Sequence, residues 1–132
     1  MRRRFKVDKL IRDGLPAMMQ GQGLAVFTRR LDDAEFLARL KDKLVKEARE
    51  ARSATGRQQL IEELADLREV MLALAAAAGL AEDEIEQARL EKRAERGGFD
   101  ERIHNAAVEG EDAAAAVAYY LARPDQYPEE PV

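Results

Sequence analysis

Two helical arms folded back on each other around one glycine constrain this chain more than anything else in it. From Lys43 to Met71 the sequence reads KLVKEAREARSATGRQQLIEELADLREVM. Apolar residues recur at helical spacing on both sides of Gly56, with Leu40, Leu44 and Ala48 before it and Leu60, Leu64, Leu67, Met71 and Leu74 after it. Between the arms, Ser53-Ala54-Thr55-Gly56-Arg57 supplies a glycine suited to ending a helix and Ser/Thr side chains able to cap the next one. A connection this short makes the arms antiparallel neighbours. The first arm is expected from about Asp33 to Ser53, capped by Asp32-Asp33 with Glu35 in its first turn. The second runs from about Arg57 to Ala78 and is closed by Gly79.

Four carboxylates lie at matched heights on this hairpin. Glu47 and Glu50 share one face of the first arm, and Glu63 and Asp66 share one face of the second. With the reversal beside Gly56, Glu47 falls opposite Asp66 and Glu50 opposite Glu63, so the four acids converge at the edge of the apolar stripes. Clustered carboxylates in a partly buried seam repel one another and lose hydration unless a cation neutralises them. The natural candidate is a hard divalent ion with oxygen ligands, Mg²⁺ or Mn²⁺. A plainer reading stands beside it. With 36% charged residues, acids three apart are common on a solvated helix, and Lys46 and Glu50 make an ordinary i,i+4 pair.

Glu47-Ala48-Arg49-Glu50 followed by Glu63-Leu64-Ala65-Asp66 resembles the EExxE…ExxD signature of the all-α nucleoside triphosphate pyrophosphohydrolases, the MazG and phosphoribosyl-ATP pyrophosphohydrolase superfamily. Lys9-Leu10-Ile11-Arg12-Asp13-Gly14-Leu15-Pro16 resembles the KLVRDKIP opening of a small house-cleaning branch, and Arg96-Gly97-Gly98-Phe99 resembles its RGGF ending. The similarity spans Phe5 to His104, with the motifs in the same order. It implies a four-helix core, an obligate dimer, and Mg²⁺ or Mn²⁺ held by Glu47, Glu50, Glu63 and Asp66. It also implies hydrolysis of a nucleoside triphosphate, canonical or modified, to monophosphate and pyrophosphate. One departure matters: the first glutamate of the signature is Lys46 here, which bears on a second metal ion or on activation of water.

The flanking segments add candidates. Residues 5 to 21 read as a short helical opening with Asp8 capping a first turn, Pro16 starting the next and Gly21 ending it. Lys9 and Arg12 share a face that reaches an anion or lies on a solvated basic surface. Leu24 to Leu31 has the composition of a short strand, and Phe99 to Asn105 alternates as its partner would, so a small two-stranded accessory is expected. His104, the sole histidine, reads as a surface residue rather than a general base. A further helix from Glu82 to Gly97 has an acidic start and a basic finish. Its Ile85, Arg89, Lys92 and Arg96 form a stripe that either snorkels or clamps phosphate, and the resemblance favours phosphate for Lys92 and Arg96. Phe99 stacks on a base or packs in the core. Beyond residue 108, Ala113 to Ala122 reads as a C-terminal helix followed by a flexible tail.

Composition limits the function classes. The 132 residues suit one MazG-like domain, 1–108, with the C-terminal helix and tail as 109–132. There is no cysteine, hence no disulfide and no thiolate ligand or nucleophile. The net charge of −4 argues against a general nucleic-acid binder despite the basic start. No apolar run follows that start as a signal peptide requires, and none is long enough for a membrane span, so a cytoplasmic protein is expected. Two other functions fit the same residues. One is a phosphoribosyl-ATP pyrophosphohydrolase; the other is a non-catalytic helical dimer that binds nucleotide or a protein partner.

Overall fold

A computed structural model describes every residue from Met1 to Val132. The chain is all-helical: α1 is Leu15–Gly21, α2 Asp33–Ser53, α3 Arg57–Ala77, α4 Glu82–Arg96 and α5 Ala115–Leu121. It divides into two compact units, Met1–Ala94 and Glu95–Val132. No helix is long and apolar enough to cross a membrane.

The α2–α3 hairpin is the centre of the first unit, and it forms where the sequence places it. Asp32 sits in extended conformation and its side chain accepts from the Glu35 amide at 2.9 Å, satisfying one of the free donors at the start of α2. Arg29 donates to both oxygens of Glu35, holding the acid against the positive end of the helix. The reversal is made by Gly56 at φ 83°, ψ 163°, a backbone conformation that is almost exclusive to glycine. Capping of α3 differs from expectation, because no Ser or Thr side chain caps it. Instead Gln59 reaches back, and its Oε1 accepts from the Thr55 amide at 2.9 Å and the Thr55 hydroxyl at 3.2 Å. At the far end, Leu80 N donates to Ala75 O and Gly79 N to Ala76 O, a Schellman closure around Gly79 at φ 72°.

The two arms pack along each other with Leu40, Val70 and Ala75 buried and Leu44, Leu67 and Leu74 half-buried. Val70, Leu67 and Leu74, together with Glu63 and Asp66, recur every three or four residues and form the less exposed side of α3. Leu60, Leu64 and Met71, which the periodicity also assigns to the stripe, are exposed, as are Ile61 and Leu72. Apolar residues therefore occupy more than one side of α3, and α2 covers only one. Every residue of α4 is exposed as well. The chain leaves 12266 Å² accessible to solvent, against roughly 7000 Å² for a single folded chain of this mass.

Two further expectations do not hold. Residues 5 to 12 are not helical, and Asp8 lies at φ 46° without capping a turn; only Leu15–Gly21 is helix, with Pro16 in its first turn. This opening segment is fastened to the hairpin by polar contacts: Asp8 accepts from Arg39 at 3.2 Å, Leu10 O from Lys43 at 3.1 Å and Asp66 from Arg12 at 2.7 Å. The two-stranded accessory is also absent. Neither Leu24–Leu31 nor Phe99–Asn105 forms a strand. Strand-like composition needs a ladder partner to become a strand, and the second segment turns instead, with Arg102 N donating to Phe99 O and Arg102 at φ 58°.

In the second unit, α5 begins two residues later than expected and ends before Pro124. Tyr119, Tyr120 and Tyr127 form an aromatic cluster in which Tyr120 meets the other two edge-on, and the Arg123 guanidinium lies 3.9 Å from the Tyr119 ring centroid.

Leu40 is 3% exposed within the first unit. Leu40→Ala is expected to destabilise the fold by about 2–5 kcal/mol in chemical denaturation, with helical circular dichroism retained below the transition. A loss under about 1 kcal/mol would place the core elsewhere.

Candidate metal centre

Glu47 is the charged residue that the α2–α3 seam buries, at 5% exposure. Its position follows from helical spacing: seven residues after Leu40 and three after Leu44, it shares their face. Its Oε1 lies 3.8 Å from Lys43 Nζ and 3.9 Å from Lys46 Nζ. Its Oε2 is buried with no hydrogen-bond partner, and so is Oε2 of Glu63 across the seam. A buried carboxylate oxygen without a donor is costly, so two together are a marked local debt of hydration.

Glu50 completes the group. One oxygen each from Glu47, Glu50 and Glu63 fall within 4.8 Å of one another. Opposite ligands of an octahedral Mg²⁺ are about 4.2 Å apart, and Ca²⁺ spans slightly more. The spread is thus close to what one hard divalent cation gathers, and the donors are the all-oxygen kind it prefers. Asp66, the fourth acid, is near enough to act on the charges of Glu47 and Glu63, but its Oδ1 accepts from Arg12 at 2.7 Å. The hairpin register therefore brings three acids together and places the fourth beside them, engaged with the N-terminal segment.

The crowding shows in the proton affinities. Burial, then the neighbouring Glu50 carboxyl and its charge, push Glu47 above its usual 4.5. Glu63 is raised for the same reasons, with Glu47 and Asp66 adding repulsion. Burial pushes Glu50 up too, but the neighbouring Glu47 carboxyl, the Lys46 ammonium and the Glu63 carboxyl outweigh it, and its pKa falls. The solvated-pair reading of Lys46 and Glu50 is met in part, since Lys46 Nζ lies 3.4 Å from Glu50 Oε1. It does not account for the burial of Glu47.

The cations expected at phosphate are dispersed. Lys9 lines a cavity of about 100 Å³ between the N-terminal segment and α2, and Arg12 is paired with Asp66. Lys92 lies on α4 along an open groove with Leu80, Ile85 and Arg89, and Arg89 is taken by Glu86 at 2.6 Å. Arg96 and Phe99 belong to the second unit, where Phe99 is exposed. Lys43 escaped the sequence reading. Its place four residues before Glu47 was the available signal, whereas its bond to Leu10 O depends on where the N-terminal segment lies.

Comparison with known proteins finds no matching family model, and neither a curated protein nor a solved structure matches the chain.

A carboxyl whose pKa folding raises holds its proton more tightly in the folded chain than in the unfolded one. The resulting penalty is absent below about 4.5 and fully developed once pH exceeds the raised folded value. In EDTA, Glu63→Gln is therefore expected to melt higher than wild type by a margin that widens from pH 4.5 to 7. Mn²⁺ should then raise the wild-type Tm at pH 7 by several degrees and the variant's by much less. A margin that narrows with pH would mean Glu63 is not under carboxylate repulsion.

Proposed function

We propose that this chain hydrolyses a nucleoside triphosphate between the α and β phosphates, releasing monophosphate and pyrophosphate, with Mg²⁺ or Mn²⁺ held by Glu47, Glu50, Glu63 and Asp66. The observation that carries the reading is the buried Glu47, whose unpartnered oxygen lies in a seam with Glu50 and Glu63 close by. The ordered resemblance of the KLIRD, EARE…ELAD and RGGF segments supplies the reaction class, and a modified base is the house-cleaning form of the substrate. A cytoplasmic location goes with that role.

A divalent ion in this site supplies charge neutralisation for the phosphates and a polarised water. The protein's part is to hold four acids on two rigid helices, with one of them placed to accept the proton of that water. Arg12 exchanges Asp66 for phosphate in this scheme, and Lys9 and Lys92 meet the charge that grows on the leaving group. No covalent intermediate is needed. The ester product leaves as a monophosphate.

A second copy of the chain is part of the reading. Leu60, Ile61, Leu64, Met71 and Leu72 leave an apolar side of α3 in solvent, and obligate dimers commonly bury 2,000 Å² or more. The rival is a non-catalytic helical dimer, which one observation favours: Lys46 already gives the acid cluster a covalently attached cation at 3.4 Å.

Pyrophosphate release from a panel of ordinary and modified nucleoside triphosphates and phosphoribosyl-ATP separates these readings. Turnover is expected with Mg²⁺ or Mn²⁺, none in EDTA, and a loss of about 100-fold or more for Glu63→Gln; fastest cleavage of phosphoribosyl-ATP would select that enzyme instead. Metal-independent turnover, or none with any nucleotide, defeats the proposal. In light scattering, wild type should run as a dimer and Leu64→Glu as a monomer, and a monomeric wild type removes the second copy from the account.

A further inference from the structure

Lys46 stands between two features. On one side its ammonium lies 3.4 Å from Glu50 Oε1 and 3.9 Å from Glu47 Oε1. On the other it lines the half-open cavity of about 100 Å³ bordered by the N-terminal segment, with Asp8, Lys9, Leu10, Arg39, Asp42 and Lys43. A water takes about 30 Å³ of liquid, so this space suits one phosphate group and not a nucleoside. Its charges are unequally committed. Arg39 is held by Asp8 at 3.2 Å, and Lys43 donates to Leu10 O while lying 3.8 Å from Glu47. Lys9 has no ion pair, and Lys46 is shared with the acids.

We propose that Lys46 is a cation shared between the carboxylate cluster and an adjoining phosphate pocket: it competes with a divalent ion for Glu47 and Glu50, and with that ion bound it joins Lys9 in holding a phosphate group. The proposal rests on the metal reading above. A divalent ion on Glu50 repels an ammonium this close, and the Lys46 side chain is 41% exposed, so its four-carbon stem is free to turn. The neighbouring cavity, already lined by the same side chain, is where that ammonium meets an anion. Lys46 thereby couples the two ligands: its charge weakens the metal and strengthens the phosphate, whereas a side chain that only supports the fold affects both in the same direction.

The test measures the two ligands separately. Mn²⁺ affinity is read by electron paramagnetic resonance on wild type, Lys46→Met, Lys46→Gln and Lys9→Met, each checked for helicity. Inorganic phosphate binding is read by calorimetry on the Mg²⁺-saturated proteins. Both Lys46 variants are expected to bind Mn²⁺ about tenfold more tightly and phosphate about tenfold more weakly, a typical coupling. Lys9→Met should weaken phosphate alone. Parallel losses of both ligands in the Lys46 variants, or no change in either, overturn the shared-cation role. Tighter Mn²⁺ with unchanged phosphate overturns the pocket assignment. If wild type binds no Mn²⁺, the metal reading fails first and this proposal with it.

Discussion

A carboxylate leaves water only where something answers its charge, and Glu47 is buried in the seam that holds the hairpin together. Two ammonium groups stand nearly 4 Å away from one of its oxygens and nothing meets the other. Those contacts are long for charge-assisted bonds, so the site is neutralised only loosely. An apolar residue at 47 would pack the same seam with less penalty. The presence of an acid there, with Glu50 and Glu63 close by, is the observation on which the proposed cation-binding role rests. The N-terminal segment meets the same acids, because Lys43, which holds Leu10 O, also lies 3.8 Å from Glu47, and Arg12 is bonded to Asp66.

The hairpin also explains why a single chain looks incomplete. A helix with apolar residues on more than one side needs more than one neighbour, and α2 is the one neighbour that covers α3 extensively. Three apolar residues are buried in a chain of 132, a small core for that length. The same helix thus carries two of the cluster's acids on its covered side and an uncovered apolar side with Leu60, Leu64 and Met71. In the dimer reading, association would use the flank of α3 next to the metal site, and burial of one would stiffen the other.

Much of this was legible from residue order, and the failures have identifiable causes. Helix starts and stops followed from local chemistry: Asp32 as cap, Gly56 as reversal, Gly79 as closure. The carboxylate register followed too, since an antiparallel hairpin with a known turn leaves little freedom in which heights match. The apolar stripe of α3 was misjudged because Leu60, Leu64 and Met71 satisfy helical spacing as well as Leu67 and Leu74 do, and periodicity does not say which side meets α2. Leu24–Leu31 and Phe99–Asn105 were misread because composition reports suitability for a strand, while a strand exists only through its ladder.

The sequence by itself determined the elements and the approach of the acids, because capping, glycine conformation and helical spacing act over a few residues. Only the tertiary structure decided that Glu47 is buried with an unpaired oxygen, that Asp66 is held by Arg12, and that Lys46 borders both the acids and a cavity. The first depends on how the two arms pack, and the other two on where an irregular segment lies against helices 31 to 54 positions away in the chain. No local preference encodes such a placement; it is selected by the sum of long-range charge and packing terms, which act only once the hairpin has formed.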